Sequence, residues 1–198
     1  MAYKETNVEF VPKILQGELL EFVKQHSLKL WERFPYDLGR GHTDPIELQQ
    51  VKNALVRYAD FHLENLSLFL KPKIEKITGL KLLPTYTYMR VYEKGMDLPF
   101  HTDRVCCEIS VALCLARSNK DKDAWIFSGK YNGHQTDIKT DEGDGIVYNG
   151  IEVRHWREPC HLDYHIGAFL HYVDADGIYK GYVNDGRLHS YKKQRVVV

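Results

Sequence analysis

Two hydrophobic periods divide this chain. From Leu15 to the seventies apolar residues recur at three- and four-residue steps, and from about Lys81 the step becomes two. The first spacing belongs to helices with one face on a core, the second to strands whose side chains alternate between faces. Leu15, Leu19, Phe22, Val23, His26 and Leu30, following Pro12, predict one helix. A second is predicted to start at Asp44, with Asp44 as N-cap, Pro45 in the first helical position and Glu47 in the third. Its stripe is Leu48, Val51, Leu55, Tyr58 and Phe61, and it runs on past Leu70. Pro72 should kink or split it, and Gly79 should end it.

Strands are predicted at 85–92, 108–116, 124–127, 145–149, 151–156 and 164–173, where β-branched and aromatic residues concentrate. Turns are marked by Glu93-Lys94-Gly95, by 141–145 and by Asn149-Gly150. Strand parity separates two surfaces. Ile109, Val111, Leu113 and Leu115 form a greasy face suited to covering by helices, while Ser110, Ala112 and Cys114 leave room on the other. Tyr86, Tyr88, Arg90 and Tyr92 share a face, as do His165, Gly167, Phe169 and His171. Helices first and short strands after predict a mainly β single domain, 1–198. Residues 1–80 act as helical support, 81–180 as a β-sandwich core and 181–198 as a C-terminal extension.

Charge changes this picture little. Lysine plus arginine and aspartate plus glutamate stand at 27 each, which argues against a nucleic-acid partner or an anionic membrane. No stretch is long and apolar enough for a membrane helix, and the start lacks the apolar run of a signal peptide. The four cysteines, Cys106, Cys107, Cys114 and Cys160, form no C-x-x-C pair, so free thiols and a cytoplasmic location are expected. A structural zinc site around Cys160 and His161 is disfavoured by the same spacing.

The candidate chemistry lies in His101-Thr102-Asp103 and, further on, His155. On extended chain His101 and Asp103 point to one side and a distant histidine can complete the set. Two imidazoles and a carboxylate, with positions left open, suit ferrous iron that must also bind a co-substrate and O2. The H-x-D spacing occurs twice more. His42-Thr43-Asp44 runs into the helix start at Pro45, and His161-Leu162-Asp163 has its next strand histidine, His171, too near to cross a barrel. Only His101 and Asp103 lie between strands with room for a sheet crossing before the third ligand.

From about Thr85 to Asp174 the chain resembles the 2-oxoglutarate- and iron(II)-dependent oxygenases, in their prolyl-hydroxylase-like branch. The residues that carry this are 88–95 with their tyrosines and glycine turn, His101-Thr102-Asp103, 145–150, His155 and 169–174. Asp103-Arg104, 107–110 and His155-Trp156-Arg157-Glu158 are similar to small phage and bacterial members. The resemblance implies a double-stranded β-helix (jelly-roll) core with Fe(II) on His101, Asp103 and His155, and 2-oxoglutarate and O2 as co-substrates. It places Tyr92 beside the 2-oxoglutarate, and puts His165 where that branch carries the lysine or arginine for the far carboxylate. Arg90, sharing a face with Tyr88 and Tyr92, is the substitute cation; Arg104, Arg157 and Trp156 are candidates for the substrate. The implied reaction is hydroxylation of an unactivated C–H bond, with succinate and CO2 as co-products. Its substrate would be a small amino-acid-like metabolite or a peptide or protein side chain. The competing reading is a non-catalytic ligand-binding barrel or sensor, with His165 marking lost 2-oxoglutarate turnover.

Overall fold

A computed structural model describes residues 3–33 and 50–187. The helix start predicted at Asp44, with Pro45 and Glu47, lies outside these residues, as do the H-x-D at 42–44 and the end of the extension, 188–198.

Among the described residues, ten strands form two antiparallel sheets. The chain runs α1 (Tyr3–Thr6), β1 (Val8–Val11), α2 (Gly17–Arg33), β2 (Leu55–Tyr58), α3 (Phe61–Thr78), β3 (Leu82–Glu93), β4 (Leu98–His101) and β5 (Ile109–Arg117). It continues through β6 (Ile126–Tyr131), β7 (His134–Lys139), β8 (Gly145–Asn149), β9 (Arg154–Arg157) and β10 (Tyr164–Asp174). The large sheet has the order β1-β8-β5-β10-β3-β2 and the small one β4-β9-β6-β7. Two facing antiparallel sheets with these crossovers are the jelly-roll predicted from sequence.

Strand parity is realised as two cores. Ile109, Val111, Leu113 and Leu115 of β5, Met89 and Val91 of β3 and Ile166, Ala168, Leu170 and Tyr172 of β10 pack with Val23 of α2 and Leu63, Leu66, Leu70 and Ile74 of α3. The Tyr172 hydroxyl also donates to the Ser67 carbonyl at 2.8 Å, tying sheet to helix. Between the sheets, Ala112, Ile146 and Tyr148 meet Phe127 and Val153, with Phe169 against them. The functional groups line this inner space.

The second helix departs from expectation. Leu55 and Tyr58, placed on a helical stripe, lie instead in β2, which pairs with β3 from Leu55↔Val91 to Tyr58↔Tyr88. The region 1–80, expected as helical support, therefore also gives both edge strands of the large sheet, β1 and β2. Ala59 then turns through φ 53° and Asp60 caps α3, its carboxylate accepting from the amides of His62 and Leu63. Pro72 does not split α3. It lies on the exposed side, as does Leu68, whose carbonyl loses its amide donor and is left to water. Gly79 ends the helix at φ 77°, its N–H returning to Glu75 O at 2.8 Å, as predicted.

Candidate metal centre

His101 ends β4 and His155 lies on β9 directly opposite it in register. Their ring centroids are 4.2 Å apart. Asp103 follows β4 and is set by its own N–H, which donates to Gly150 O at 2.8 Å. Asp103 Oδ1 then lies 3.4 Å from His101 Nε2 and 3.6 Å from His155 Nε2, and one ligand atom from each residue falls within 4.8 Å of the others. The expected triad is thus brought together.

Surrounding groups fix which atoms face inward. His101 Nδ1 donates to Pro99 O at 2.6 Å and His155 Nδ1 to Val153 O at 3.0 Å, so each Nε2 lone pair is directed at the shared focus. Ser110 Oγ donates to Asp103 Oδ2 at 3.2 Å and Tyr148 OH reaches the same oxygen at 3.5 Å, leaving Oδ1 for the centre. Gly150 is needed by space. A Cβ there would stand 2.3 Å from Cys107 O, 2.7 Å from Asp103 Oδ2 and 2.9 Å from Ser110 Oγ. The His155 side chain is 3 % exposed against 19 % and 16 % for His101 and Asp103, so the centre opens on the latter side.

The electrostatics suit cation binding. Burial opposes the Asp103 charge, but the neighbouring imidazoles of His101, His155 and His171 outweigh it, and its pKa falls to about 2. Burial, against the pull of Asp103, takes His155 down to about 4. A carboxylate ionised and an imidazole uncharged at neutral pH are the forms that bind metal.

Sequence reasoning missed the supports. His171 is buried on β10 with Nδ1 2.9 Å from Ser110 Oγ, joining a chain from Asp103 through Ser110. Burial holds it near pKa 4. Its shared face with His165 was the available signal; nothing in the sequence indicated its partner.

Deeper in the barrel the other candidates meet. Tyr92 is fully buried, with its ring 4.9 Å from Trp125 and 6.3 Å from His165. Arg90 donates to Tyr92 OH at 3.1 Å and to Gln50 Oε1 at 2.9 Å, with its guanidinium 5.1 Å from the Tyr88 ring. Its Nε has no partner among the described residues. His165 is buried opposite Tyr92, 3.9 Å by Nδ1 from Cys114 Sγ. Burial, then the charges of Arg157 and Arg117, push its pKa well down, so it adds no charge at neutral pH.

Arg104 lies at the lip, 3.0 Å from Asp185 Oδ2, with its guanidinium over the Tyr86 ring. Trp156 is not brought to the centre. Strand alternation turns it away from His155, and its ring meets Phe100 at 5.1 Å while Nε1 donates to Glu158. His26, Asp60 and His62 form a second grouping of ligand type on the helical side, where Asp60 is committed to capping α3. Asp103 also groups with Cys107 and His171, and His161, with Nε2 2.8 Å from Asp123 O, belongs to none of these three groupings.

No family model and no curated protein matches the sequence. Solved structures do. A prolyl-4-hydroxylase from Pseudomonas putida aligns with TM-score 0.64 at 14% identity, over 87% of this chain and 95% of that one. A Trichoplax adhaerens prolyl hydroxylase, solved with a hypoxia-inducible-factor peptide fragment, gives 0.68 at 13%, over 87% and 86%. An α-ketoglutarate-dependent carbocyclase from nogalamycin biosynthesis gives 0.67 at 14%, over 95% and 87%. The chain therefore has the jelly-roll fold of the 2-oxoglutarate/Fe(II) oxygenases, prolyl hydroxylases among them.

Proposed function

We propose that this chain is an Fe(II)- and 2-oxoglutarate-dependent dioxygenase that hydroxylates an unactivated C–H bond. The observation that carries the reading is the convergence of His101 Nε2, Asp103 Oδ1 and His155 Nε2 on one point open to one side. Two nitrogens and one oxygen fit ferrous iron better than a closed zinc site, because coordination positions remain for a co-substrate and O2. The buried interior beside the triad suits a dicarboxylic acid, since its charged groups outside the triad are guanidiniums, Arg90 and Arg157. Bound together, iron and 2-oxoglutarate supply an oxidation in which O2 delivers one atom to succinate, as CO2 departs, and the other to the substrate as hydroxyl.

The protein's own groups position and exclude. Ser110 and Tyr148 keep Asp103 turned so that one oxygen serves the metal. Phe127, stacked 5.5 Å from His155, and the buried Tyr92 and Trp125 keep water from the deep side. Tyr88, Tyr92, Arg90 and His165 line the co-substrate pocket. Arg104, at the lip, faces the incoming substrate and favours a small amino-acid-like metabolite bearing a carboxylate over a peptide or protein side chain. A cytoplasmic location remains part of this reading.

The test is succinate formation from 2-oxoglutarate by Fe(II)-loaded protein in air with ascorbate, for wild type and Asp103→Ala. Wild type is expected to exceed the variant by about 100-fold or more. Wild-type protein that holds iron yet neither binds nor consumes 2-oxoglutarate would sink the proposal and favour a ligand-binding barrel.

A further inference from the structure

The floor of the barrel carries positive charge that its surroundings do not balance. Arg157 on β9 is 4% exposed, and among the described residues no carboxylate pairs with it. Its Nη1 donates to Trp125 O at 3.0 Å, and its guanidinium lies 4.7 Å from the Trp125 ring centroid and 5.6 Å from that of Phe127. Aromatic rings and one carbonyl are weak compensation for a buried cation, which ordinarily pairs with an anion or costs several kcal/mol. Arg117, equally buried, shows the ordinary solution: Asp141 at 2.9 Å and three backbone carbonyls.

Two other groups compete for an incoming anion. Arg90 has the Tyr92 hydroxyl and Gln50 on its two terminal nitrogens and the Tyr88 ring beside it, which leaves its Nε as the nitrogen without a partner among the described residues. His165 bears no charge to offer, for the reasons of burial given above. Arg157 is differently placed. It stands two residues beyond His155 on the same strand, hence on the same inner face. That step spans roughly 7 Å. A five-carbon keto acid stretched between a metal at its keto end and a cation at its far carboxylate spans about the same.

Resting on the function proposed above, we propose that Arg157, rather than His165 or Arg90, binds the far carboxylate of 2-oxoglutarate and sets the preference for a dicarboxylic keto acid. Trp125 and Phe127 flank the guanidinium, and the Trp125 carbonyl takes one donor, leaving the others for the ligand. Arg157 so becomes part of the co-substrate pocket and not of the substrate site.

The experiment measures binding, not turnover. Mn(II)-loaded protein is titrated by calorimetry with 2-oxoglutarate and with 2-oxobutyrate, which lacks the far carboxylate. Wild type is expected to prefer 2-oxoglutarate by about 30-fold or more. Arg157→Met should bring that preference close to one while leaving 2-oxobutyrate affinity as it was. Arg157→Lys, which keeps the charge and loses the fork, should weaken 2-oxoglutarate about tenfold; this variant carries the test if the first does not fold. Arg90→Met and His165→Gln should shift both acids alike. A preference that survives Arg157→Met, an unaltered Arg157→Lys, or a preference lost in Arg90→Met overturns the assignment. Wild-type protein that binds Mn(II) but neither acid removes the function proposed above, and this assignment with it.

Discussion

The rim and the floor of the barrel are built on opposite electrostatic plans. At the rim, hydrogen bonds hold one oxygen and both outer nitrogens of the triad, so among the described residues three atoms, Asp103 Oδ1 and the two Nε2, are left facing one another, and all three are electron donors. At the floor, aromatic rings and a carbonyl surround a guanidinium, so what is left over is a donor of protons. Under the function proposed above, a surplus of lone pairs at one end and of N–H groups at the other suits a metal at the first and an anion reaching toward the second.

The largest blow to the rim alone is Gly150→Ala. With Cys107 O at 2.3 Å from the added carbon, the backbone beside Asp103 must move, and a loss of about 3 kcal/mol of stability is expected, along with at least tenfold weaker Mn(II) affinity. Chemical denaturation and metal titration read the two effects; normal metal affinity would mean that Asp103 does not depend on this contact.

Acid acts on the rim through His171. His171 is buried uncharged with a folded pKa near 4, below the usual value near 6.5, so its contribution to stability is complete above 6.5 and drains away as pH falls toward 4. Between pH 7.5 and 5 it should cost metal-free protein about 2 kcal/mol. His171→Asn should flatten the denaturation profile by that amount, and an unchanged slope would contradict an uncharged His171. Smallest is the lip. Arg104 is half exposed, so Asp185→Asn should change stability by less than about 1 kcal/mol and less still in high salt. A larger loss would make the lip structural, in the manner of the rim.

Period-two alternation made a β-sandwich and its inner faces legible; the jelly-roll topology and the full triad came with the family resemblance, because the H-x-D spacing alone occurs three times. β2 was hidden because Leu55, Tyr58 and Phe61 also fit helical steps, and an edge strand that pairs only with β3 has little pattern of its own. β7 was missed since its His-Gln-Thr-Asp run is mostly exposed, and an edge strand without a greasy face reads as loop. Pro72 misled because local propensity says nothing of which side of a helix meets water. Parity placed Arg157 beside His155, yet its role depends on the absence of a nearby acid, a property of the folded interior that no spacing reports. His171 and Gly150 share that difficulty: one hydroxyl and one carbonyl, remote in sequence, give them their meaning.

Each imidazole of the candidate metal centre is tethered to the carbonyl two residues before it, Pro99 for His101 and Val153 for His155. β4 and β9 thus each carry their own jig, and the two rings are aimed before any ion arrives. The entropy of orienting them is settled during folding, so ion capture needs no rotamer search. Its speed should follow how readily the ion sheds water, making uptake faster for labile Mn(II) than for slow-exchanging Ni(II).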